Sequence, residues 1–213
     1  MPVGAVNVTE FINIPKATSK GIEFTAYWQP VDHLNLSLVY GYDDTRITSG
    51  CSLVSGVATG TCLVDVADPT ATALGARPVG ATGAQAVNGD ALPQAPRTKV
   101  AFNANYTFEF TPGNLILSGS YIWKDKSYDS VFVRAYDEAP SWDQVDLRAT
   151  WQGNHDKYEL VAYVRNLFNT LGYDAAAGAY PIAAPVGGGG FSQAPAFDLT
   201  PPRTYGFEVH YKF

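Results

Sequence analysis

Residues 203–213 read Arg-Thr-Tyr-Gly-Phe-Glu-Val-His-Tyr-Lys-Phe, and the two sides of this stretch decide the fold. In an extended chain successive side chains point to opposite faces. Tyr205, Phe207, Val209, Tyr211 and Phe213 therefore share one face, and Thr204, Gly206, Glu208, His210 and Lys212 the other. A soluble sheet alternates too, but a terminal strand carrying a row of aromatics would be an edge prone to association. Where lipid is the outer solvent, such a face needs no protein cover.

The same alternation recurs upstream. Ile22, Phe24, Ala26 and Trp28 stand against Glu23, Thr25, Tyr27 and Gln29. Leu34, Leu36, Leu38, Tyr40 and Tyr42 stand against Asn35, Ser37, Gly41 and Asp43, and Val100 through Phe110 against Lys99, Asn103, Asn105, Thr107 and Glu109. Three more segments follow: Leu115 to Trp123, Val145 to Trp151, and Tyr158 to Phe168. A first segment, Val3 to Ile14, breaks its alternation around Glu10 and Phe11 and is read as an eighth strand. At membrane depth every ionisable residue falls on the polar parity, as expected where a lipid-facing Arg or Lys costs roughly 2–4 kcal/mol. The exceptions, Tyr27, Val39, Ile116, Ile122, Val161 and Tyr163, are apolar or aromatic residues on the polar side. Alternation alone fits an antiparallel sandwich equally well.

The connections separate the two readings. Pro30 to His33, Thr111 to Asn114 and Gln152 to Asp156 are tight and rich in turn formers. The links from Arg46 to Pro96, Tyr128 to Ala139 and Asn169 to Pro202 are long. Alternating short and long links are the pattern of a transmembrane barrel with small periplasmic turns and large extracellular loops. A compact soluble domain rarely accommodates so long a structureless link. With the last strand descending, Trp28, Phe110, Trp151 and Phe213 share the periplasmic interface, and Tyr40, Tyr42, Trp123 and Phe168 lie toward the other. The expected fold is all-β: an antiparallel transmembrane β-barrel portion of about eight strands.

Composition is compatible. Aromatics make up 13% and charged residues 16%, against about a quarter charged in soluble domains. A mean hydropathy of -0.07 and the absence of any long apolar run argue against spanning helices. A net charge of -6 argues against a nucleic-acid partner. Met1 to Glu10 has neither the basic region nor the apolar core of a secretory signal, so the chain reads as the tail of a longer protein or as one whose leader is gone.

Three groups of residues carry a family resemblance. Lys20-Gly21-Ile22-Glu23, with Trp28-Gln29-Pro30 and Leu38-Val39-Tyr40-Gly41-Tyr42, looks like a strand-turn-strand found in the barrels of TonB-dependent outer-membrane receptors. Arg165-Asn166-Leu167-Phe168-Asn169 resembles the segment before their last extracellular loop, and Pro202 to Phe213 is similar to their closing strand. The resemblance implies that residues 1–213 are the carboxyl-terminal part of a barrel of about 22 strands, with the plug domain and earlier strands outside the sequence. It implies energy-coupled uptake of a siderophore or other bulky nutrient, with a TonB complex engaged through the missing plug. Tyr205, Phe207, Val209, Tyr211 and Phe213 resemble the signal read by the outer-membrane barrel assembly machinery. Outer-membrane lipid is the remaining partner, and the cell outer membrane the expected location.

Chemistry beyond binding finds no motif. Gly-x-Ser-x-Gly, His-Glu-x-x-His and phosphate-cradling loops are absent, so neither catalysis nor a cofactor is expected. His33, His155 and His210 are scattered, so no metal site is expected either. Cys51 and Cys62, close together in the longest loop, read as a disulfide worth at most about 3 kcal/mol by chain-entropy arithmetic. Gly187 to Gly190 reads as a loop tip.

Loops on a rigid scaffold commonly carry recognition. The ligand candidates are accordingly Asp43, Asp44 and Arg46; Tyr128, Asp129, Phe132, Arg134, Tyr136 and Asp137; and Tyr173, Asp174, Tyr180 and Phe191. Two other readings compete with the receptor: a self-contained eight-stranded barrel with a structural or adhesive role, and a soluble β-sandwich binding module.

Overall fold

The computed structural model describes residues 14, 16–49, 52–54, 57–59, 78–79, 84–85, 87–133, 138–153, 157–182 and 192–212. In chain order the strands are β1 (Lys16–Trp28), β2 (Leu34–Ser49), β3 (Ser52–Val54), β4 (Val57–Thr59), β5 (Pro78–Val79), β6 (Ala84–Gln85), β7 (Thr98–Phe110) and β8 (Gly113–Lys124). They continue with β9 (Ser127–Tyr128), β10 (Glu138–Ala139), β11 (Trp142–Gly153), β12 (Tyr158–Arg165), β13 (Tyr173–Ile182), β14 (Ser192–Leu199) and β15 (Thr204–Tyr211).

Seven of the strands form one sheet in the order β1-β2-β7-β8-β11-β12-β15. Every pairing in it is antiparallel and the seven follow one another in chain order, giving an up-and-down meander. Seven of the eight expected strands are thus present, and the eighth, Val3 to Ile14, falls almost wholly outside the described residues. The sheet is open, with β1 and β15 as its two edges.

Register carries the sequence alternation across the whole sheet. Ala26, Leu38, Phe102, Tyr121 and Val145 form one cross-strand row. Leu117, Ala149, Ala162 and Phe207 form another. One residue out of phase, Ser37, Asn103, Ser120 and Asp146 line up on the other face. A one-residue slip in any pair would turn an apolar row onto the polar face. The apolar face is left open to its surroundings: Phe24 is 52% exposed, Phe207 65% and Val209 62%. This is the reverse of a sandwich, in which those side chains would be covered. At one rim the Phe110 and Trp151 rings lie 5.9 Å apart, as expected of an aromatic girdle.

The tight ends have local causes. At the first turn His33 adopts a φ of 67° and the Leu34 amide donates to the Val31 carbonyl over 3.3 Å. At the second, Gly113 has a φ of 152°, and a Cβ built there would stand 2.1 Å from the Gln152 carbonyl oxygen of β11, its neighbour in the sheet. Only glycine fits both the conformation and the approach.

The long links are more ordered than the sequence suggests. β2 runs past Arg46 to Ser49, because Thr45 and Ile47 are buried under the returning chain at 87–92. β9 pairs with β10 inside the second long link, and β13 with β14 inside the third. β13 also lies against both β9 and β10, so two loop hairpins meet over one end of the sheet.

Candidate functional site

That end of the sheet is built from three roots. At the first, Ile47 donates its amide to the Asp90 carbonyl at 2.9 Å, and Gly89 donates to the Ile47 carbonyl at 2.8 Å, so the chain returning toward β7 pairs with the top of β2. The Leu92 amide donates to Thr45 Oγ1 at 3.1 Å. On the other side of β2, Asp44 accepts two bonds from Arg46, Nε to Oδ2 at 3.0 Å and Nη2 to Oδ1 at 3.1 Å. Arg97 Nη2 adds a third at 2.8 Å. The Arg46 hydrogen bonds draw the Asp44 carboxyl below its ordinary value despite opposing desolvation, with Arg97 adding to them.

The second root joins two loops. Gln94, at a φ of 54°, donates its amide to the Tyr128 carbonyl at 2.7 Å and reaches Asp129 Oδ1 with its side chain at 3.5 Å. Beside it Glu138 Oε2 accepts from Lys126 Nζ and from the Tyr128 hydroxyl, both at 2.9 Å. Lys126 also stands 5.5 Å from the Tyr128 ring centroid, within cation–π range. Burial pushes the Glu138 carboxyl up, but the Lys126 ammonium and Tyr128 hydroxyl outweigh it and hold the group below its ordinary value.

A folded-state value below the unfolded one contributes stability above the ordinary carboxylate range, and that contribution disappears as pH falls through the lowered value. The parent is therefore expected to exceed Glu138→Gln in thermal stability at neutral pH by at most about 1 kcal/mol, since the pair is half exposed. The difference should close on acidification through the Glu138 titration. A gap that persists when both proteins are well below it would show that charge is not what ties this root.

The third root closes the last long loop. Asn166 is 1% exposed, with a φ of 54°, and uses its whole amide. Its Nδ2 donates to the carbonyls of Thr170 at 2.9 Å and Pro201 at 3.2 Å, and its Oδ1 accepts from the Thr170 amide at 2.8 Å. Its own backbone amide donates to Asp146 Oδ1 at 2.8 Å. Asn169, at a φ of 55°, accepts from the Arg203 amide at 3.0 Å. Further along, Trp142 Nε1 donates to the Tyr173 carbonyl at 2.8 Å, Lys124 Nζ donates to the Asp174 carbonyl, and Tyr173 meets Phe197 edge to face at 5.2 Å.

Below these roots the polar face holds a concavity of about 420 Å³, lined among others by Ser37, Asn103, Asn105, Ser120, Arg148 and Glu208. Asn103 Nδ2 donates to Ser37 Oγ at 3.2 Å, and the Arg165 guanidinium lies 5.4 Å from the Tyr163 ring centroid. Tyr163 covers Gly206 in the closing strand, where a Cβ would stand 2.5 Å from the Tyr163 hydroxyl. Hydroxyls and amides beside four ionisable side chains, Asp146, Arg148, Arg165 and Glu208, suit a polar ligand. Among the described residues no three His, Cys, Asp or Glu side chains are grouped to hold a metal.

The candidates from sequence divide as follows. Tyr128, Asp129, Phe132, Tyr173 and Asp174 lie in the two loop hairpins that meet over the sheet. Asp43 accepts from Ser19 Oγ at 2.7 Å on the polar side of β2, while Asp44 and Arg46 fall on the parity of Tyr42, the apolar side. Arg134, Tyr136, Asp137, Phe191, Cys51, Cys62 and Phe213 lie outside the described residues, as does the side chain of Tyr180. Sequence reasoning passed over Gln94, Arg97, Lys126, Glu138 and Trp142, which tie the loops together. Only Lys126 and Trp142 had a sequence signal, a cation just past one alternating strand and an indole just ahead of the next.

Solved structures share this fold. The ferric yersiniabactin uptake receptor FyuA from Yersinia pestis superposes with a TM-score of 0.60 at 14% identity, over 92% of this chain and 24% of that one. The siderophore receptor PiuA from Acinetobacter baumannii gives 0.58 at 17% identity, over 91% and 21%. BauA, the ferric preacinetobactin receptor from the same organism, gives 0.58 at 19%, over 92% and 22%. The chain thus spans less than a quarter of the length of each. No curated protein matches its sequence. The family model for the TonB dependent receptor-like beta-barrel matches residues 1–167, and this chain, with its meander of alternating strands and its loops gathered at one end, belongs to that family.

Proposed function

We propose that the chain is the carboxyl-terminal part of the barrel of an outer-membrane receptor for energy-coupled uptake of a siderophore or other bulky nutrient. The observation that carries this reading is the loop cluster: two hairpins bearing Tyr128 and Tyr173 meet above a face of hydroxyls, amides and charges, while the opposite face is apolar throughout its span. Aromatic rings with nearby amides and carboxylates can stack on and orient a chelate that water-filled loops alone would not hold. The TonB complex, reached through a plug outside this sequence, would supply the energy. The closing strand with Tyr205, Phe207, Val209, Tyr211 and Phe213 would serve as the signal for the assembly machinery, and Cys51 with Cys62 would form a disulfide in the longest loop.

The test uses the full-length receptor in detergent and a panel of ferric siderophores of the catecholate, hydroxamate and mixed classes, read by quenching of intrinsic fluorescence. One class is expected to saturate, and Tyr128→Ala or Tyr173→Ala to weaken it by about tenfold, equivalent to roughly 1.4 kcal/mol. A correctly folded receptor that binds no member of the panel would redirect the search to other nutrients. Equal affinity in both variants and parent would remove these loops from the ligand site.

A further inference from the structure

We infer that the polar face of β1, β2, β7 and β8 carries a subsite for a zwitterionic ligand end, an amino-carboxylate group with an apolar arm, held between Glu23 and Lys99 over a floor of Val39, Ala101 and Ile122. This subsite rests on the receptor reading above and narrows the class of ligand. Val39 and Ile122 break the polar parity of this face, and the register brings the two breaks together. Val39 pairs with Ala101 and Ala101 with Ile122, so the three form one apolar row across three strands. The neighbouring row toward the opposite rim, Ser37, Asn103 and Ser120, is wholly polar. Val39 is 45% exposed and Ile122 40%, so the apolar island stands open.

The row on the loop side of the island supplies the charges. Glu23 pairs with Gly41 and Gly41 with Lys99, which sets a carboxylate and an ammonium on either side of a residue with no side chain. A Cβ at Gly41 would meet nothing within 4 Å, so the gap between the two is open space. Two strand spacings separate their backbones by roughly 9.5 Å, a span that one small ligand bridges when both side chains reach toward it. Glu23 and Lys99 are exposed, and among the described residues neither has an ion-pair or side-chain hydrogen-bond partner. Lys124, the other cation at this level, is already engaged: its Nζ donates to the Asp174 carbonyl and lies 3.6 Å from Asp174 Oδ1. Asp43, the next carboxylate outward on β2, accepts from Ser19. With Trp142 donating to the Tyr173 carbonyl, the Lys124 contacts seat β13 as the end wall of a cavity of about 590 Å³. A cavity of that size with an apolar floor and a few placed charges suits a small amphipathic group. An anion alone would satisfy Lys99 but face Glu23, and a cation alone the reverse; a ligand end bearing both charges satisfies each without repulsion.

The test titrates the full-length receptor in detergent with leucine, isopentylamine, isocaproate and glycine, read by saturation-transfer difference NMR. Isopentylamine is leucine without its carboxylate, isocaproate is leucine without its ammonium, and glycine lacks the apolar arm. Leucine is expected to saturate at a concentration several-fold below the other three. Lys99→Gln should weaken leucine several-fold and not weaken isopentylamine, whereas Glu23→Gln should weaken leucine and not weaken isocaproate. Glu109→Gln, on the same face at the opposite rim, should change nothing. The comparison of ligands needs no variant, so it decides the question even where a substitution prevents folding, which heat-modifiable migration reports. Equal saturation by leucine and either single-charge analogue, or an equal fall in Glu109→Gln, would overturn the inference. Protection of Lys99 from acetylation in the unliganded receptor, mapped by mass spectrometry, would assign this wall to the plug and overturn it too. A folded receptor that takes no leucine also overturns it, and if that receptor binds a member of the siderophore panel the receptor reading survives. Leucine binding by a receptor that takes no siderophore would keep the subsite and count against the siderophore alone.

Discussion

Asn166→Ala in the full-length receptor is expected to lower stability by about 2–4 kcal/mol, the cost of leaving several partly buried donors and acceptors without partners. The side chain it removes satisfies the Thr170 amide, the Thr170 carbonyl and the Pro201 carbonyl at once, tying the start of the last long loop to its end. Water can reach Pro201 more easily than the buried Asn166 site, which keeps the figure below a simple sum over three groups. Alanine also inherits a φ of 54° that asparagine tolerates and alanine does not.

That second cost makes the order of variants informative. Asn166→Gly loses the same hydrogen bonds but not the backbone fit, so it should be more stable than Asn166→Ala by about 1 kcal/mol. Asn166→Asp keeps an acceptor for the Thr170 amide, yet places a carboxylate in a 1%-exposed site beside Asp146, whose Oδ1 already accepts from the residue 166 amide. It should be at least as damaging as alanine. Urea unfolding of the receptor in detergent, followed by loss of heat-modifiable migration, measures the series. An alanine variant within about 0.5 kcal/mol of the parent would mean that the loop is held elsewhere.

The sheet was legible because its determinant is local and binary. Each strand announces its parity through five or six residues, and antiparallel neighbours joined by tight turns leave little freedom of register. The loop roots were not legible, because their determinants are single contacts between distant residues. Gln94 reaches Tyr128 and Asp129, and Lys124 reaches Asp174, across separations that no periodicity marks. β13 was missed for a different reason: Tyr173 to Ile182 is rich in alanine and has no apolar-polar alternation to reveal a strand. Asn166 stood out in sequence only through its resemblance to a family segment. Its physical role, a left-handed residue spending its entire amide on closing a loop, needed the coordinates. Asp44 and Arg46 show the converse. Their alternation was readable, but β2 was expected to end before them, so their facing outward was not drawn from it.

Two adjacent residues at the middle of β2 give the sharpest test of which face meets lipid. Leu38 sits between Ala26 and Phe102 on the apolar face, and Val39 between Thr25 and Ala101 on the polar face. Leu38 is also central in the apolar span that runs from Leu34 to Tyr42, placing it near the bilayer midplane. Leu38→Arg is expected to destabilise the folded, inserted receptor by roughly 2–4 kcal/mol, and the cost should fall to about 0–1 kcal/mol for Tyr42→Arg at the interface. Val39→Arg should cost little, since its neighbours face the aqueous interior. Folding into vesicles from urea, followed by tryptophan fluorescence, gives all three. The depth profile is the deciding feature, because burial in a protein core would penalise an arginine at Leu38 without making the penalty track distance from a bilayer centre. Equal costs at Leu38 and Val39 would mean that the two faces meet the same solvent, and the membrane reading of the sheet would fail with them.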